Sequence, residues 1–343
     1  MAAPARNSTE GGHGGPPLQK MQEAKEKLVE IVRRFADQRV VVVGDAIADK
    51  FVHGSISRVS REAPVFILRH EQTQTSPGGA ANCAMNLVAL GAHITLISVT
   101  GNDESGNELR SKLESAGVDT KRMIISEKVQ TTTKVRILAG HSHSNKQQVI
   151  RIDYEGAPLN DEEIRTAILK QLEQAITEAK AVVISDYNYG VIDTRVAELI
   201  RQMTDVPVLV DSRFRLLDFT GFTAATPNEE EVDNLVGTTD ENSAHALKKK
   251  LGHRALLVTR GAKGMTLLEG DSAPLDIPAV GAQQAVDVTG AGDTVIATFS
   301  LALACGASFS EAAHLANYAG GLVVMKRGTA TISAEELEHA ITG

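Results

Sequence analysis

The segment "RVVVVGD", residues 39–45, decides the fold class of this chain. Its four consecutive valines favour extended structure, and the run places no polar side chain on either side of a strand. A strand that is apolar on both faces is typical of a parallel sheet, where helices cover both sides. The segment therefore predicts a buried parallel strand that ends in a glycine and a carboxylate, Asp45.

The same pattern recurs, with predicted helices at about residues 19–37, 80–90, 161–178 and 293–304. The further strand segments are "HITLISVTG", "AKAVVISDYNYG", "VPVLVDSR", "GFTAATPN" and "ALLVTRGAKG". This alternation predicts an α/β fold with a doubly wound, mostly parallel sheet flanked by helices. Ligands of such sheets bind beyond the carboxyl ends of the strands. We expect a substrate site there, since these ends carry polar residues: Asp45, Asp186, Asp211, Asn228 and Arg260.

Two segments break the alternation, at about residues 50–75 and 129–153, because no helix separates their period-two strands. We predict that they form a small antiparallel β lid beside the site. The other face of the lid sheet must be covered, so we predict a homodimer in which the lid contacts a second copy of the chain. At the hairpin tip "GHSHSN", His141 and His143 are interpreted as solvated side chains rather than as metal ligands.

Composition and net charge indicate which partners and which compartment to expect for this protein. The 343 residues are 42% hydrophobic and 23% charged, with a net charge of -8, so nucleic acid is not the expected partner. No apolar run approaches the roughly 18 residues of a membrane span. Cys83 and Cys305 are predicted to be buried free thiols, which suits a reducing cytoplasm. Residues 1–17 are predicted to be a disordered arm without a secretory signal, and residues 18–343 one domain.

The segment "DVTGAGDT", residues 287–294, carries the clearest chemical signal. Its glycines allow close approach to a ligand, and the unpaired N–H groups of the following helix form an anion site. We predict that the N–H groups of Ala291, Gly292 and Asp293 stabilise a transferring phosphoryl group while the Asp293 carboxylate accepts a hydroxyl proton. Alternatively, Asp293 only caps the helix. Neither a Walker-type phosphate loop nor a dinucleotide-binding fingerprint is present.

Two other segments are candidates for binding a sugar. In "SPGGAANCAMNLVALGA", residues 76–92, Gly78 and Gly79 could present backbone N–H groups to a ligand hydroxyl, or they form a tight turn onto a core helix. Asp45, at the end of the first strand, could accept hydrogen bonds from sugar hydroxyls. Asp49 either shares that role or is a solvated loop residue.

The segment "TPNEEEV" is a candidate for binding a metal ion. Asn228 and Glu231 lie three residues apart at a predicted helix start and so share one face. Their oxygen atoms suit Mg²⁺, bound directly or through water. The alternative is a helix cap followed by an acidic first turn.

Four segments together, "GGAANCAMNLVALG", "TPNEEEV", "VTRGAKG" and "DVTGAGDT", resemble the ribokinase-like (PfkB) carbohydrate kinases over about residues 37–341. Within that family the chain is similar to the heptose-7-phosphate kinases of ADP-heptose synthesis. The segments that carry this second likeness are "VVVVGDAIADKFVHGSISRVSREAPV", "SPGGAANCAMNLVALGA", "VIRIDYE", "ISDYNYG" and "KRGTATIS".

The resemblance implies ATP-dependent phosphorylation of the 1-hydroxyl of D-glycero-D-manno-heptose 7-phosphate, which gives the 1,7-bisphosphate for lipopolysaccharide precursors. ATP and Mg²⁺ would be required, K⁺ is a further candidate, and a separate nucleotidyltransferase would act next. The alternatives are a PfkB-type kinase for another sugar or sugar phosphate, and a binding protein that keeps the fold without catalysis. The intact Asp293 argues against the binding protein.

The resemblance also implies residue roles. Asp293 is the base, and the anion hole consists of Gly290, Ala291 and Gly292. The residues implied for sugar hydroxyls are Asp45, Gly78, Gly79 and Asn82. Those implied for the nucleotide and its Mg²⁺ are Asn228, Glu231, Thr259, Arg260, Gly261, Gly264 and, near the adenine, Asn317. A monovalent-cation site is implied at Asp287 and Thr289, with carbonyls near Lys326 and Gly328.

For the substrate phosphate, the likeness to the lid of the heptose kinases favours three cations, Arg58, Lys134 and Arg136; the alternative is that they are exposed lid charges. Two positions depart from the subfamily pattern, because Tyr189 and Arg213 stand where lysines are usual. An arginine keeps the charge of a lysine but not its point-donor geometry. These two positions therefore bear on the substrate preference of the chain.

Overall fold

The computed structural model describes residues 18–140, 146–237, 243–281 and 284–343, with side chains from residue 22 onward. The predicted arm at residues 1–17, and the hairpin-tip histidines His141 and His143, lie outside the described residues. The helices are α1 (Leu18–Arg33), α2 (Ala80–Ala89), α3 (Glu104–Ser115), α4 (Glu162–Ile176), α5 (Thr194–Met203), α6 (Glu229–Val236), α7 (Ser243–Leu251), α8 (Ala291–Ala304), α9 (Phe309–Val323) and α10 (Ala334–Thr342).

The strands form one large sheet, a four-stranded lid and a short pair. They are β1 (Arg39–Gly44), β2 (Ala46–Val59), β3 (Phe66–Gly79), β4 (His93–Ile97), β5 (Val99–Gly101), β6 (Ile124–Ser126), β7 (Thr133–Gly140), β8 (Gln147–Tyr154), β9 (Ala181–Asp186), β10 (Val208–Ser212), β11 (Ala224–Ala225), β12 (Ala255–Thr259), β13 (Met265–Glu269) and β14 (Leu275–Ile277).

The large sheet has the order β14-β13-β12-β11-β10-β9-β1-β4, and only β13 and β14 are antiparallel to their neighbours. This confirms the doubly wound, mostly parallel sheet. Along β1, Val40 and Val42 pack into the core under α1, α2, α3, α8, α9 and α10. Val41 and Val43 pack into the core under α4, α5, α6 and α7. Helices on both faces explain why the strand has no polar alternation.

The strand order reverses at β1, which has β4 on one side and β9 on the other. In open α/β sheets such a switch point opens a crevice at the carboxyl ends of the strands. Asp45 follows β1 directly and Asp186 ends β9, so the sheet places both residues at this crevice. The fold therefore puts the candidate site where the strand-end residues predicted it.

The lid, defined here as β2, β3, β7 and β8, has the order β3-β2-β7-β8. Its hairpins β2–β3 and β7–β8 are antiparallel, but β2 and β7 run parallel. The prediction of a purely antiparallel lid was therefore wrong. Ala48 of β2 lies beside Thr133 of β7, since both strands leave the core at the same edge and run outward.

Local features also differ from the predicted strands. The segment "HITLISVTG" divides into β4 and β5, and β5 leaves the large sheet to pair with β6. In "GFTAATPN" only Ala224 and Ala225 are in a strand. Cys83 and Cys305 are buried free thiols, as predicted. Within the described residues, no helix has the length and apolar character needed to cross a membrane.

Candidate active site

The first turn of α8 has the geometry of an anion site. The helix begins at Ala291, and Gly290 precedes it in a left-handed conformation with φ of 76°. The Ala291 N–H donates to the Val288 carbonyl at 3.2 Å. The N–H groups of Gly292 and Asp293 have no intrahelical acceptor, because the first turn of a helix lacks a preceding turn. Two backbone donors and the positive end of the helix dipole therefore meet at this point.

The Asp293 side chain lies beside these donors and is 6% exposed. Its Oδ2 accepts a hydrogen bond from Asn82 Nδ2 at 2.7 Å, and its Oδ1 accepts one from the Tyr187 hydroxyl at 3.4 Å. The helix-cap alternative is contradicted, because Gly290 is the cap residue and the Asp293 carboxylate bonds to side chains of other elements. Burial raises the pKa of Asp293 to about 7, although both hydrogen bonds lower it. A carboxylate with that pKa suits a general base near neutral pH.

Buried hydrogen bonds hold α2 against α8. Asn82 bonds to Asp293, and one turn further along α2 the Asn86 Oδ1 accepts a hydrogen bond from the Thr294 hydroxyl at 2.7 Å. The Asn86 amide in turn donates to the Asn82 carbonyl at 2.9 Å. The predicted sugar-binding Asn82 thus directs its amide at the base.

The inner edge of the lid brings a second carboxylate to the site. Asp49 is 6% exposed and pairs with Arg136, and an added Cβ on Gly78 would collide with its carboxylate. The negative charge of Asp49 also contributes to the raised pKa of Asp293, after burial. Asp49 therefore lies among the predicted sugar-binding residues. Gly79 caps α2, so this glycine pair ends a lid strand and begins a helix.

The Asp45 carboxylate lies at the predicted edge of the sheet but bonds to the protein's own backbone. Its carboxylate is 2% exposed and accepts backbone hydrogen bonds from Tyr187 (2.8 Å), Tyr189 (3.1 Å) and Val191 (3.1 Å). Burial raises its pKa to about 6, although these N–H groups lower it. The structure thus uses Asp45 to hold the loop after β9, whereas Asp49 is the carboxylate that reaches the lid.

Asp186 is also taken up by the protein itself. Its side chain is fully buried and pairs with Arg215 at 2.8 Å, and it accepts a hydrogen bond from the Ser212 hydroxyl at 2.7 Å. Arg215 further donates to the Ile192 carbonyl at 2.8 Å. The structure therefore contradicts the placement of Asp186 among the substrate contacts, because a carboxylate without exposed oxygen cannot meet a ligand.

A largely apolar cavity of about 210 Å³ opens on the other side of the anion site. It is lined by four residues predicted for the nucleotide, Thr259, Gly261, Gly264 and Asn317, together with Ala291 and Gly292 of α8. The Asn317 amide donates to the Pro278 carbonyl at 2.7 Å and so fixes one wall. The structure brings this predicted set together at the end of the anion site.

Arg260 does not line that cavity. Its side chain pairs with Asp276 at 3.2 Å and lines a separate cleft with Glu229 and Lys263. Its neighbour Thr259 does line the nucleotide cavity, because successive side chains of an extended segment point to opposite sides. The Arg260 side chain, for which the resemblance implies a nucleotide contact, thus faces a different cleft from Thr259.

Asn228 and Glu231 form a reciprocal helix cap. Asn228 Oδ1 accepts from the Glu231 N–H at 2.8 Å, and Glu231 Oε2 accepts from the Asn228 N–H at 3.0 Å. The cap alternative is thus confirmed, and it leaves the second oxygen of Glu231 free of that motif.

Burial, followed by the negative charges of Asp293 and Glu231, raises the pKa of Asp211 to about 8. Carboxylates therefore crowd this side of the site.

Asp287 joins two turns beside the anion site. Its carboxylate accepts from the Thr289 N–H and from the Gly328 N–H, both at 2.9 Å. Burial raises its pKa, but these backbone donors outweigh it, so the pKa lies below the usual range and the group is ionised. The predicted pair Asp287 and Thr289 is thus adjacent to the loop that contains Lys326 and Gly328.

The predicted lid cations occupy different places. Strand pairing sets Lys134 beside Asp49 and Asp153, and Arg136 beside Phe51 and Arg151, so all of these lie on one face of the lid. The Lys134 ammonium lies 5.6 Å from the Tyr189 ring centre. Arg58 is exposed near the outer end of β2, away from this group.

Sequence reasoning left two residues of the site without a role and a third undecided. Tyr187 contacts the base, Arg215 neutralises Asp186, and Asp49 was left between two interpretations. The signal that could have placed Asp49 in the lid is its spacing of two residues from Phe51, because residues two apart in a strand lie on the same face. No local signal marks Tyr187 or Arg215, because their partners lie 106 and 29 residues away in the chain.

Comparison with known proteins identifies the family of the chain. The pfkB family carbohydrate kinase model matches residues 37–337. The bifunctional protein HldE of Pseudomonas aeruginosa strain PAO1 is 41% identical over 315 residues, which are 90% of this chain and 64% of that protein. HldE of Ectopseudomonas mendocina is 41% identical over 317 residues, again with 90% and 64% coverage. The chain thus spans 64% of the length of these relatives.

Solved structures share the fold at lower identity. Ribokinase of Arabidopsis thaliana, complexed with ribose and ATP, aligns with a TM-score of 0.69 and 23% identity over 89% of this chain and 99% of its own. Phosphofructokinase-2 of Escherichia coli, in complex with potassium, aligns with a TM-score of 0.73 and 18% identity over 89% and 98%. The family match covers most of the chain and confirms the resemblance read from the motifs. The chain therefore belongs to the pfkB family of carbohydrate kinases and is an ATP-dependent kinase.

Proposed function

We propose that this kinase phosphorylates the 1-hydroxyl of D-glycero-D-manno-heptose 7-phosphate and releases the 1,7-bisphosphate and ADP. The observation that carries the proposal is the position of Asp293 between the anion site of α8 and the charged face of the lid. The 41% identity to the HldE proteins, which this chain matches over part of their length, supports a place in heptose metabolism.

The chemistry follows from the first turn of α8. The acceptor hydroxyl transfers its proton to the Asp293 carboxylate, and its oxygen forms a bond to the γ-phosphorus of ATP. The bond from that phosphorus to the β,γ-bridging oxygen breaks, and ADP leaves with the electron pair. The N–H groups of Gly292 and Asp293 stabilise the negative charge on the transferring group. ATP would occupy the 210 Å³ cavity, whose lining includes Gly292.

The residues fit Mg²⁺ bound through water and phosphate oxygens. In the part of the chain that the structure describes, no three His, Cys, Asp or Glu side chains are arranged to hold a metal ion. Mg²⁺ in kinase sites commonly uses one or two protein groups plus substrate phosphates. Glu231 and Asn228 would hold it at the acidic side of the site, where it would supply positive charge to the phosphates.

The oxygen atoms around Asp287 fit a monovalent cation. Asp287 is ionised and lies where two turns meet, and the nearby Thr329 hydroxyl is buried without a hydrogen-bond partner among the described residues. We propose that Asp287 and Thr289, with carbonyls near Lys326 and Gly328, would hold K⁺ and so fix the turn that precedes α8.

The charged face of the lid suits a phosphorylated substrate. Strand pairing sets Arg136 and Arg151 directly opposite each other across β7 and β8, where Arg136 pairs with Asp49 and Arg151 with Asp153, so a substrate phosphate would share these arginines with the two carboxylates. Lys134 on the same face adds a third cation, whereas Arg58 would have to reach in from the outer end of β2. Tyr189, which stands in place of a lysine, contacts Lys134 and so changes how this cation is presented.

The opposite face of the lid supports the proposal of a homodimer. Strand pairing puts Ile150 beside Ile137 and Ile152 beside Val135, and β8 exposes Ile150, Ile152 and Tyr154 to 51%, 39% and 47%. An apolar sheet face of this kind is usually covered by a partner. We further propose cytoplasmic action, with a nucleotidyltransferase activity using the product.

An ADP-release assay against matched sugars tests the proposed substrate. Heptose 7-phosphate, unphosphorylated heptose, fructose 6-phosphate and ribose would be compared with Mg²⁺ and with or without K⁺. We expect kcat/KM to be highest for heptose 7-phosphate, and ³¹P NMR of the product to show a new phosphate on the anomeric carbon. A preference for another sugar or sugar phosphate would keep the kinase and replace the substrate.

A lid variant isolates the phosphate contact. Arg151→Gln should raise KM for heptose 7-phosphate by about tenfold, because a hydrogen bond to a charged group contributes about 1.5 kcal/mol or more. KM for ATP should not change, because Arg151 lies on β8 of the lid. Equal changes in both KM values would contradict a phosphate contact at the lid.

A further inference from the structure

One buried carboxylate, that of Asp45, holds the backbone of the loop that follows β9. Asp45 accepts hydrogen bonds from the N–H groups of Tyr187, Tyr189 and Val191, which alternate along the chain. Both carboxylate oxygens take part, and the group is 2% exposed. Three charge-assisted bonds to one side chain fix the backbone path of this loop.

The conformation of the loop is itself constrained. Asn188 has φ of 65° and is the only non-glycine residue with positive φ among the described residues. Gly190 has φ of 98°, and an added Cβ there would lie 2.6 Å from the Leu159 nitrogen. Strained backbone positions persist when the surrounding structure determines them, and they cluster at functional sites. Here the constraint falls on the residues that flank Tyr187 and Tyr189.

The consequence of this path is the position of the Tyr187 hydroxyl. It donates to Asp293 Oδ1 at 3.4 Å, while Asn82 donates to Oδ2 at 2.7 Å. The base is therefore held from two elements, by α2 on one oxygen and by the β9 loop on the other. The oxygen that Tyr187 contacts is the more weakly bonded of the two, so it is the oxygen better able to accept a proton.

We propose that Tyr187 is a positioning residue that orients the Asp293 carboxylate for proton transfer, and that Asp45 acts through the loop to place the Tyr187 hydroxyl. This inference rests on the proposed role of Asp293 as the base. It gives the buried Asp45 a function in catalysis that does not require contact with the sugar.

Other ionisable groups also face Asp293. The charge of Asp49, from the lid, raises its pKa, and Asp293 in turn acts on Asp211 of β10 and on Cys83 of α2. Of these neighbours, Asp49 and Asp211 are acidic, and burial raises the pKa of the Cys83 thiol, which therefore stays neutral. The hydroxyl of Tyr187 and the amide of Asn82 are the groups near the base that lower its pKa. Removal of the Tyr187 hydroxyl should therefore raise the pKa of the base.

The test is Tyr187→Phe, which removes one oxygen and keeps the ring. We expect kcat at pH 7 to fall about fivefold, KM for ATP to stay unchanged, and the acid limb of the kcat profile to move up by about half a pH unit. Asp45→Asn, which places an amide against three N–H donors, should lower kcat in the same direction, with the melting temperature measured alongside.

Tyr318→Phe is the matched control, because this tyrosine of α9 packs against the hydrophobic core. It should leave kcat and the pH profile unchanged. A wild-type profile in Tyr187→Phe would overturn the inference, as would a loss of kcat with an unmoved acid limb. The proposed base is tested separately by Asp293→Asn: an inactive Asp293→Asn with a wild-type-like Tyr187→Phe would reject the positioning role alone.

Discussion

At the scale of single residues, the chemistry of the site depends on which of its buried carboxylates can accept a proton from a substrate. Asp45, Asp186 and Asp293 are all buried, but Asp45 is held by three N–H groups and Asp186 by an arginine. Asp293 is held by two side-chain donors and has a pKa raised to about 7. Burial also raises the pKa of Asp45 to about 6 and that of Asp211 to about 8, but Asp293 is the carboxylate in the first turn of α8, beside the N–H donors of the anion site.

This pKa predicts how turnover depends on pH. A base works in its ionised form, so kcat should be nearly flat above about pH 8 and should fall about tenfold per unit well below pH 7. The measurement is kcat from pH 5 to 9 at saturating ATP and sugar phosphate. An acid limb centred near pH 4 would contradict a buried base.

Residue roles were predictable where the signal is local. The sequence of "DVTGAGDT" is enough to place Asp293 in the first turn of a helix after a glycine turn, and the structure has it there. The roles of Asp45 and Asp49 could not be separated, because the N–H groups that hold Asp45 come from residues more than 140 positions later in the chain. Spacing within one segment carries no information about such partners.

At the scale of elements, the N-terminus of α8 depends on a glycine that touches α2. Gly290 has φ of 76°, and an added Cβ would lie 2.5 Å from the Asn82 amide nitrogen. At the other end of α8, Gly306 has φ of 78° with no heavy atom within 4 Å of an added Cβ. The two glycines thus share a conformation and differ in their surroundings.

Alanine at these two positions separates backbone strain from active-site geometry. Both variants should lose about 1 kcal/mol or more of unfolding free energy, because alanine disfavours positive φ. Gly290→Ala should in addition lower kcat by at least tenfold, because the Cβ displaces Asn82 from Asp293. Urea unfolding and steady-state kinetics measure the two effects. Equal kcat in the two variants would contradict the Asn82–Asp293 geometry.

Elements were predicted best where they are long and buried on both faces. The valines of β1 and the helices around residues 80–90 and 161–178 were found within a few residues of their predicted bounds. The parallel pairing of β2 with β7 was not predictable, because it depends on where two distant segments leave the core. A local sequence pattern indicates that a segment forms a strand, but it does not indicate which other strand it pairs with.

At the scale of the whole molecule, the lid has two faces with different chemistry. Lys134, Arg136 and Asp49 lie on one face, whereas Ile150 and Ile152 lie on the other. We infer that the first face meets the substrate and the second meets another copy of the chain. Closure of the lid over the site would then depend on the dimer.

A charge on the apolar lid face should break the dimer. Ile152→Asp places a carboxylate in the proposed interface and should raise the dimer dissociation constant by about a hundredfold, because an unpaired buried charge costs several kcal/mol. Met203→Asp is the matched control, since Met203 is also 39% exposed but lies on α5. Sedimentation velocity measures both, and a dimeric Ile152→Asp would argue against this interface.

The central claim is that Asp293, at the N-terminus of α8, removes the proton from the hydroxyl that ATP phosphorylates. The most direct measurement is kcat and the ATP dissociation constant of Asp293→Asn beside wild type at pH 8. Loss of the base should lower kcat by about a hundredfold or more and leave ATP binding within about twofold. The variant should be at least as stable at this pH, because a buried carboxyl with a raised pKa costs stability once it ionises. Near-normal turnover in a folded Asp293→Asn variant would contradict the account.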